Sequence, residues 1–353
     1  MTALPRQARR AVALGAVAAL LAVGCGPRLD DAGPGSAGVP EADLDVAGAI
    51  VISGSSTVEP ITALVREEFI AQNDQVSISV DGPGTGDGFQ LFCDGELDIA
   101  DASRQIKPEE IAACEEAGVE FIELKVGIDG LSVVTPESNE LECLSFQDLY
   151  ALIGPESEGF GNWTEAQQLA VDLGSSTRFS DQNLVVTAPG AESGTFDSFV
   201  ELVIEKAGEP RVEAGLITED EVAGARTDYS AQPDDNAIIE GVTSDPGGLG
   251  WVGFAFADIA EGVHLVPVSS EPDGECVAPT AESIQDGTYP ISRPLFIYVD
   301  AGKAQEDDAL AAFVDFYLAG LADFVSAADY IPLADDSDTQ DAWTNRVTGV
   351  REG

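Results

Sequence analysis

Short apolar runs alternate with helix-period stretches along most of this chain. Runs at 49–53, 76–80, 98–100 and 121–126 are brief and bounded by turn residues, which predicts strands. Between them the period changes to 3.6. In 58–72, Val58, Ile61, Leu64, Val65 and Phe69 share one face, and 108–117 also reads as a helix. A second unit begins near 131–135. It carries helices over 146–153, 164–173 and 195–207 around a strand at 184–188. Later strand-like runs fall at 249–254, 264–268 and 295–299, before helices at 307–321 and 322–328. This alternation predicts a mainly parallel sheet with both faces covered. The strands are too many for one small sheet, so the expectation is α/β, with two lobes joined by crossing strands.

Three predicted helices start in the same way. Ala191-Glu192-Ser193-Gly194-Thr195-Phe196-Asp197 opens a helix with Phe196, Phe199, Val200, Val203 and Ile204 on one face. Gly54-Ser55-Ser56-Thr57 precedes the helix at 58–72. Gly84-Thr85-Gly86-Asp87-Gly88 precedes a short helix holding Phe89 and Phe92. Free N–H groups and the macrodipole at a helix start favour an anion. One such turn is usually an N-cap and nothing more. Three, each after a strand-like run, put hydroxyls and helix starts at strand ends, where open α/β sheets bind ligands. They predict a shared site for a tetrahedral oxyanion. Asp101-Ala102-Ser103-Arg104 follows another strand. The Arg104 guanidinium suits bidentate recognition of an oxyanion, or an ion pair with one of the many carboxylates. Asp101 would accept from a protonated oxyanion and so favour hydrogen phosphate over sulfate.

Composition narrows the class. The chain has 353 residues, ordinary hydrophobic content at 44%, and 64 acids against 16 Lys and Arg, for a net charge of −48. That field opposes nucleic acid and anionic membrane surfaces. It also opposes an anionic ligand, so an oxyanion site must rest on local dipoles and hydrogen bonds. Acidity of this kind serves solubility, as in a salty habitat. The N-terminus reads as a targeting segment: Arg6, Arg9 and Arg10, an apolar stretch at 11–23, then Leu21-Ala22-Val23-Gly24-Cys25. The last five resemble a bacterial lipobox, which implies a signal peptide at 1–24, cleavage before Cys25 and lipidation of its thiol. Removing three arginines gives −48 − 3 = −51 for the mature chain. Residues 25–47 then read as the lipidated cysteine and a flexible tether.

The remaining cysteines, Cys93, Cys114, Cys143 and Cys276, form an even set in an exported protein. They allow three pairings, and spacing alone does not choose. Cys93–Cys114 would close a short loop and Cys143–Cys276 would link distant segments; that is the expected pair of disulfides. No C-x-x-C is present and His264 is the single histidine, so neither a metal site nor a cofactor is expected. Asp228, Asp234, Asp235 and Asn236 are acidic enough to suggest Ca²⁺ but lack an EF-hand spacing. Gly190-Ala191-Glu192-Ser193-Gly194 is one residue off G-x-S-x-G, and a triad would need His264, which sits in an apolar run. A secreted phosphohydrolase is thus the weaker reading, and no catalytic residue is assigned.

Taken in order, Gly54-Ser55-Ser56-Thr57-Val58, Gly84 to Phe89, Asp98 to Arg104, Glu192 to Asp197 and Gly287-Thr288-Tyr289-Pro290-Ile291-Ser292-Arg293-Pro294-Leu295 resemble the PstS family of phosphate-binding lipoproteins. The resemblance spans 49–299. It implies a two-lobe type II periplasmic-binding-protein fold with the ligand cleft between the lobes. By motif position, Ser56 and Thr57 belong to a first contact loop, Thr85 and Gly86 to a second, and Asp101, Ser103 and Arg104 to a third. Ser193, Gly194 and Thr195 come from the opposite lobe. Some relatives carry an Arg where this chain has Pro189, which leaves Arg104 to supply the cation; the third loop aligns with its acid at either Asp101 or Ser103. The resemblance implies a first lobe at 48–128, a second at 129–245 and a return at 246–353. It also implies a monomer that captures inorganic phosphate for the permease subunits of an ABC importer. The protein would be lipid-anchored on the outer face of the cytoplasmic membrane. Sulfate and molybdate are the alternative ligands.

Overall fold

The computed structural model describes residues 40, 46–139, 141–191 and 193–351. The signal segment and Cys25 lie outside the described residues. The first three strands, β1 (Gly48–Gly54), β2 (Val76–Asp81) and β3 (Ile99–Ala102), are parallel in the order β2-β1-β3. They are linked by α1 (Glu59–Gln72) and α2 (Thr85–Cys93), and α3 (Pro108–Ala117) follows. Pro60 in the first turn of α1 and Pro108 at the start of α3 fit positions whose N–H has no helical partner.

The runs at 121–126 and 131–135, expected as two strands, are one: β4 (Phe121–Pro136) is 16 residues long and almost wholly buried. Gly127 and Gly130 interrupt the hydrophobic pattern, and each has a packing reason. A Cβ at Gly127 would lie 3.0 Å from Val325, and one at Gly130 would lie 2.8 Å from Ile284. A two-residue strand, β5 (Leu144–Ser145), leads into α4 (Phe146–Ile153) and then α5 (Gln167–Asp172). After β6 (Val185–Pro189) comes one long helical stretch. It runs as α6 (Gly194–Phe199), a π-helical turn (Val200–Ile204) and α7 (Glu205–Glu213). It therefore extends past the expected end at 207, with Pro210 inside α7.

The remaining strands are β7 (Ser230–Gln232), β8 (Gly248–Gly253), β9 (Val263–Leu265), β10 (Val268–Ser269) and β11 (Ser292–Asp300). Nine strands form one sheet in the order β2-β1-β3-β11-β4-β8-β6-β7, with β9 on the far end of β4, while β10 pairs β5. The centre is antiparallel: β11 against β3 and β4, and β4 against β8. The sheet is thus mixed rather than mainly parallel, because β4 and β11 carry the chain across in opposite directions.

Each end of the sheet has its own core. At one end Ile50, Ile52 and Val65 pack with the helix Asp308–Ala319, where Phe69 meets Phe313 and Phe316 edge-on at 5.4 Å. At the other end Trp251 stacks on Phe199 at 4.3 Å within a cluster that includes Trp163 and Tyr150. The segment at 246–291, expected to return to the first lobe, packs here instead. Leu249, Trp251, Val266, Val268 and Tyr289 all join this second core. The reason is pairing: β8 extends the sheet beside β6 and the distal half of β4. The return is made by β11, whose Leu295, Ile297 and Val299 rejoin the first core. Both expected disulfides are present, Cys93–Cys114 tying α2 to α3 and Cys143–Cys276. Helices not expected from the sequence include Asp235–Thr243 and Ser337–Thr344. The first also accounts for the acidic cluster. Asp234 caps it by accepting from the Ala237 N–H at 3.1 Å, and Asp228 is held by Arg226.

Candidate functional site

The three helix starts converge, and glycines make the convergence possible. Gly54 ends β1 at φ +143°, and a Cβ there would lie 2.1 Å from the Asp101 carbonyl oxygen. That close approach lets the Ser55 N–H donate to the same carbonyl at 2.8 Å, which pins the first loop to β3. Gly88 brings α2 against the loop, since its Cβ would meet the Gly54 Cα at 2.5 Å. The Gly84 N–H donates to the Gly54 carbonyl at 2.8 Å. Thr85 then meets the third loop. Its Oγ1 lies 3.0 Å from the Ser103 hydroxyl and accepts from the Ser103 N–H at 3.2 Å.

From the other end of the sheet, α6 arrives with Ser193 as its N-cap, accepting from the Thr195 N–H at 3.2 Å. The two sides touch. A Cβ on Gly194 would be 3.3 Å from the Ser56 carbonyl oxygen. The Ser56 hydroxyl donates to Asp197 at 3.1 Å, and the Thr57 and Ser198 hydroxyls lie 3.3 Å apart. Between them is a cleft of about 470 Å³. Ser56, Thr57, Thr85, Gly86, Ser103 and Arg104 line it on one side; Phe196, Asp197, Val200, Glu201 and Glu205 line it on the other. Ser193, Gly194 and Thr195, at the start of α6, are not among the residues that line it. Val200 and Glu201 belong to the π-helical turn, an irregularity that re-aims side chains and recurs at functional sites.

Asp101 does not reach the cleft. Ile99 packs with α1 while Ala100 and Ala102 pack with α2, so the strand period turns Asp101 toward α1. There Thr62 donates to its Oδ1 at 3.1 Å, and its Oδ2 has no hydrogen-bond partner among the described residues. Burial pushes this carboxyl up to about 8 against the pull of the Thr62 hydrogen bond, with Glu59 adding to the rise. The oxyanion-discriminating role expected for Asp101 is therefore corrected. It is a core acid that keeps its proton in the folded chain at neutral pH and ionises near pH 4 in the unfolded one. Its contribution to stability is full below about pH 4 and is lost as pH rises through about 8. Asp101→Asn should flatten the fall in melting temperature between about pH 5 and about pH 8.5. An unchanged slope would show that the carboxyl ionises freely where it sits.

Arg104 does line the cleft, but as half of a pair. It donates to both carboxylate oxygens of Glu110 at 2.8 and 2.7 Å and lies over the Phe89 ring. The hydrogen bonds it donates to Glu110 raise the guanidinium above its ordinary value. The cation at the base of the cleft is Arg293, in β11, to which no site role was given from sequence. Its side chain is 7% exposed. It donates to the Thr57 hydroxyl at 3.0 Å and the Ser198 hydroxyl at 2.8 Å, one from each side of the cleft. Asp129, its register partner on β4, lies 3.4 Å away, and Glu201 takes another of its N–H groups. Burial works against the charge, yet Asp129 and Glu201 outweigh it and hold Arg293 above its ordinary value. Burial likewise pushes Asp129 up, against the pull of Arg293.

Chemically, the cleft combines hydroxyl and helix-start donors with two guanidinium groups and three carboxylates. The set can bind an oxyanion that still carries a proton. A nucleophile–base pair is not assembled by the residues considered for one. Ser193 is engaged as a cap, and His264 Nε2 lies 2.8 Å from the Leu141 carbonyl.

The family model for the PBP superfamily domain matches residues 39–320. Among curated proteins, Protein SphX of Synechococcus elongatus is 35% identical over 286 residues, covering 80% of this chain and 77% of its own. The Phosphate-binding protein PstS of Staphylococcus aureus is 29% identical, covering 88% of this chain and 85% of its own. Among solved structures, a possible phosphate binding protein from Planctomyces limnophilus superposes with a TM-score of 0.74 at 31% identity. It covers 86% of this chain and 99% of its own.

Proposed function

Because this chain belongs to the PBP superfamily, we propose that it is an extracytoplasmic solute-binding protein that captures inorganic phosphate and delivers it to the permease subunits of an ABC importer. The observation that carries this reading is the meeting of Thr57 and Ser198, one from each side of the cleft, on the buried Arg293. By donating to both hydroxyls the guanidinium fixes them from the two sides, ready to donate to a tetrahedral anion that bridges them. The relatives support the ligand by their names, phosphate-binding for the Staphylococcus aureus protein and for the Planctomyces structure.

Within that reading Ser56, Thr57, Thr85, Gly86, Ser103 and Arg104 contact the anion from the first lobe. Ser193, Gly194 and Thr195 contact it from the second, and Arg293 is added to them. The lobes divide at the middle of β4, and the chain returns at β11. Asp197 and Glu201 line the cleft as acceptors, so phosphate bearing a proton, which can donate to them, is favoured over sulfate, which they can only repel. Cys25 carries a lipid that tethers the protein outside the cytoplasmic membrane. Calorimetry of the purified chain, stripped of bound anion, tests the ligand. Phosphate should bind with a dissociation constant at or below the order of micromolar, about −8 kcal/mol, and sulfate and molybdate far more weakly. Tight sulfate or molybdate binding with no heat from phosphate would overturn the choice of ligand. Hydrolysis of a phosphate ester that Ser193→Ala abolishes would overturn the class.

A further inference from the structure

Beyond Arg293 lies a second cavity of about 790 Å³, sharing Ser103, Arg104, Glu201 and Arg293 with the cleft. Lys125 on β4, Lys206 on α7 and Arg351 near the C-terminus also line it. So dense a grouping of cations is unexpected in a chain with 16 of them against 64 acids.

The carboxylates of this cavity are already engaged. Glu123 accepts from the Tyr298 hydroxyl at 2.7 Å, from Gln105 at 3.2 Å and from the Arg351 N–H at 3.0 Å. Glu201 holds Arg293, Asp338 lies 3.9 Å from Arg351, and Asp335 accepts from the Ser337 N–H at 2.9 Å. Among the described residues the Lys125 and Lys206 ammonium groups have neither an ion pair nor a hydrogen bond. Partial burial and the nearby Arg293 charge hold Lys206 below its ordinary value, against the pull of Glu201. The other two lysines are placed differently. Lys303 is tied to Asp98 and to two carbonyls, and Lys107 lies at the start of α3.

We propose that this cavity is a second, weaker oxyanion subsite, where Lys125 and Lys206 hold a small inorganic oxyanion next to the cleft. The proposal rests on the phosphate reading of the cleft. A lysine ammonium attracts an anion as a point charge without fixing its orientation, which suits a waiting position rather than a specific one. Two ammonium groups without a salt bridge also attract an anion locally where the field of the whole chain would repel it.

Amine acylation read by peptide mass spectrometry tests this on the unaltered chain. Lys107, Lys125, Lys206 and Lys303 are the lysines, so each can be followed separately. Once the cleft is saturated, further phosphate at constant ionic strength should slow acylation of Lys125 and Lys206 several-fold and leave Lys107 and Lys303 unchanged. Stopped-flow fluorescence of Trp251, whose neighbour Phe196 lines the cleft, gives a second readout. In the double variant Lys125→Gln, Lys206→Gln the association rate should fall about tenfold at low salt, with the dissociation rate unchanged. Unprotected Lys125 and Lys206, or a double variant that associates as fast as the parent, would overturn the subsite while leaving the cleft intact. A parent chain that gives no heat with phosphate would sink the cleft reading instead.

Discussion

Arg293→Met is expected to lower phosphate affinity at least a hundredfold, about 3 kcal/mol or more, and to destabilise the chain by about 3–5 kcal/mol. Two separate losses are involved. The anion loses its buried guanidinium, and Asp129, itself 2% exposed, is left as an uncompensated carboxylate in the core. A double variant separates them. Arg293→Met with Asp129→Leu removes the orphaned charge, so denaturant melts should recover most of the stability while calorimetry finds affinity still low. Recovery of both would mean that Arg293 only holds β4 against β11. Full affinity in the single variant would remove it from the site.

The second large effect is expected at Gly54→Ala, a change of one methyl group. The added carbon would sit 2.1 Å from the Asp101 carbonyl oxygen, a backbone atom that cannot swing aside, at a φ that alanine resists. Unfolding by urea should show a loss of about 3–5 kcal/mol. Because the same contact fixes the loop that presents Ser56 and Thr57, whatever fraction still folds should bind phosphate more weakly. A variant within error of the parent would mean that the β1–β3 junction is much looser than the hydrogen bond from Ser55 implies.

Much of the site was legible because it is built from local signals. Glycine followed by hydroxyls at the head of a 3.6-period run marks a helix start in a single stretch of sequence; Ser56 and Thr85, which line the cleft, carry that signal, as does Ser193, the N-cap of α6. Arg293 has no local signal of that kind. Its partners Asp129 and Thr57 are 164 and 236 residues away; the β11–β4 pairing brings the first to it and the loop after β1 the second. Asp101 misled for the opposite reason. Its position beside Ser103 suggested the cleft, whereas the two-residue period of β3 turns it into the core. The fold was legible in outline, but hydrophobic runs do not reveal direction, so the antiparallel crossing of β4 and β11 was hidden. For the same reason β8 was credited to the wrong lobe: a buried strand reads alike in either core.

The order of pairing has a consequence for how the chain is made. A polypeptide emerging N-terminus first presents β1, β2 and β3 early, but the neighbour that completes their sheet is β11, the last strand to appear among the described residues. The second core, in contrast, lacks only Ile331 and the flanking Leu333 once Ile291 has emerged. The later-starting lobe should therefore mature first, leaving the leading strands with an open edge at β3 for most of synthesis. Any factor that guards the nascent chain has that edge to cover, and truncations that end before β11 should aggregate through it although most of their second core is present.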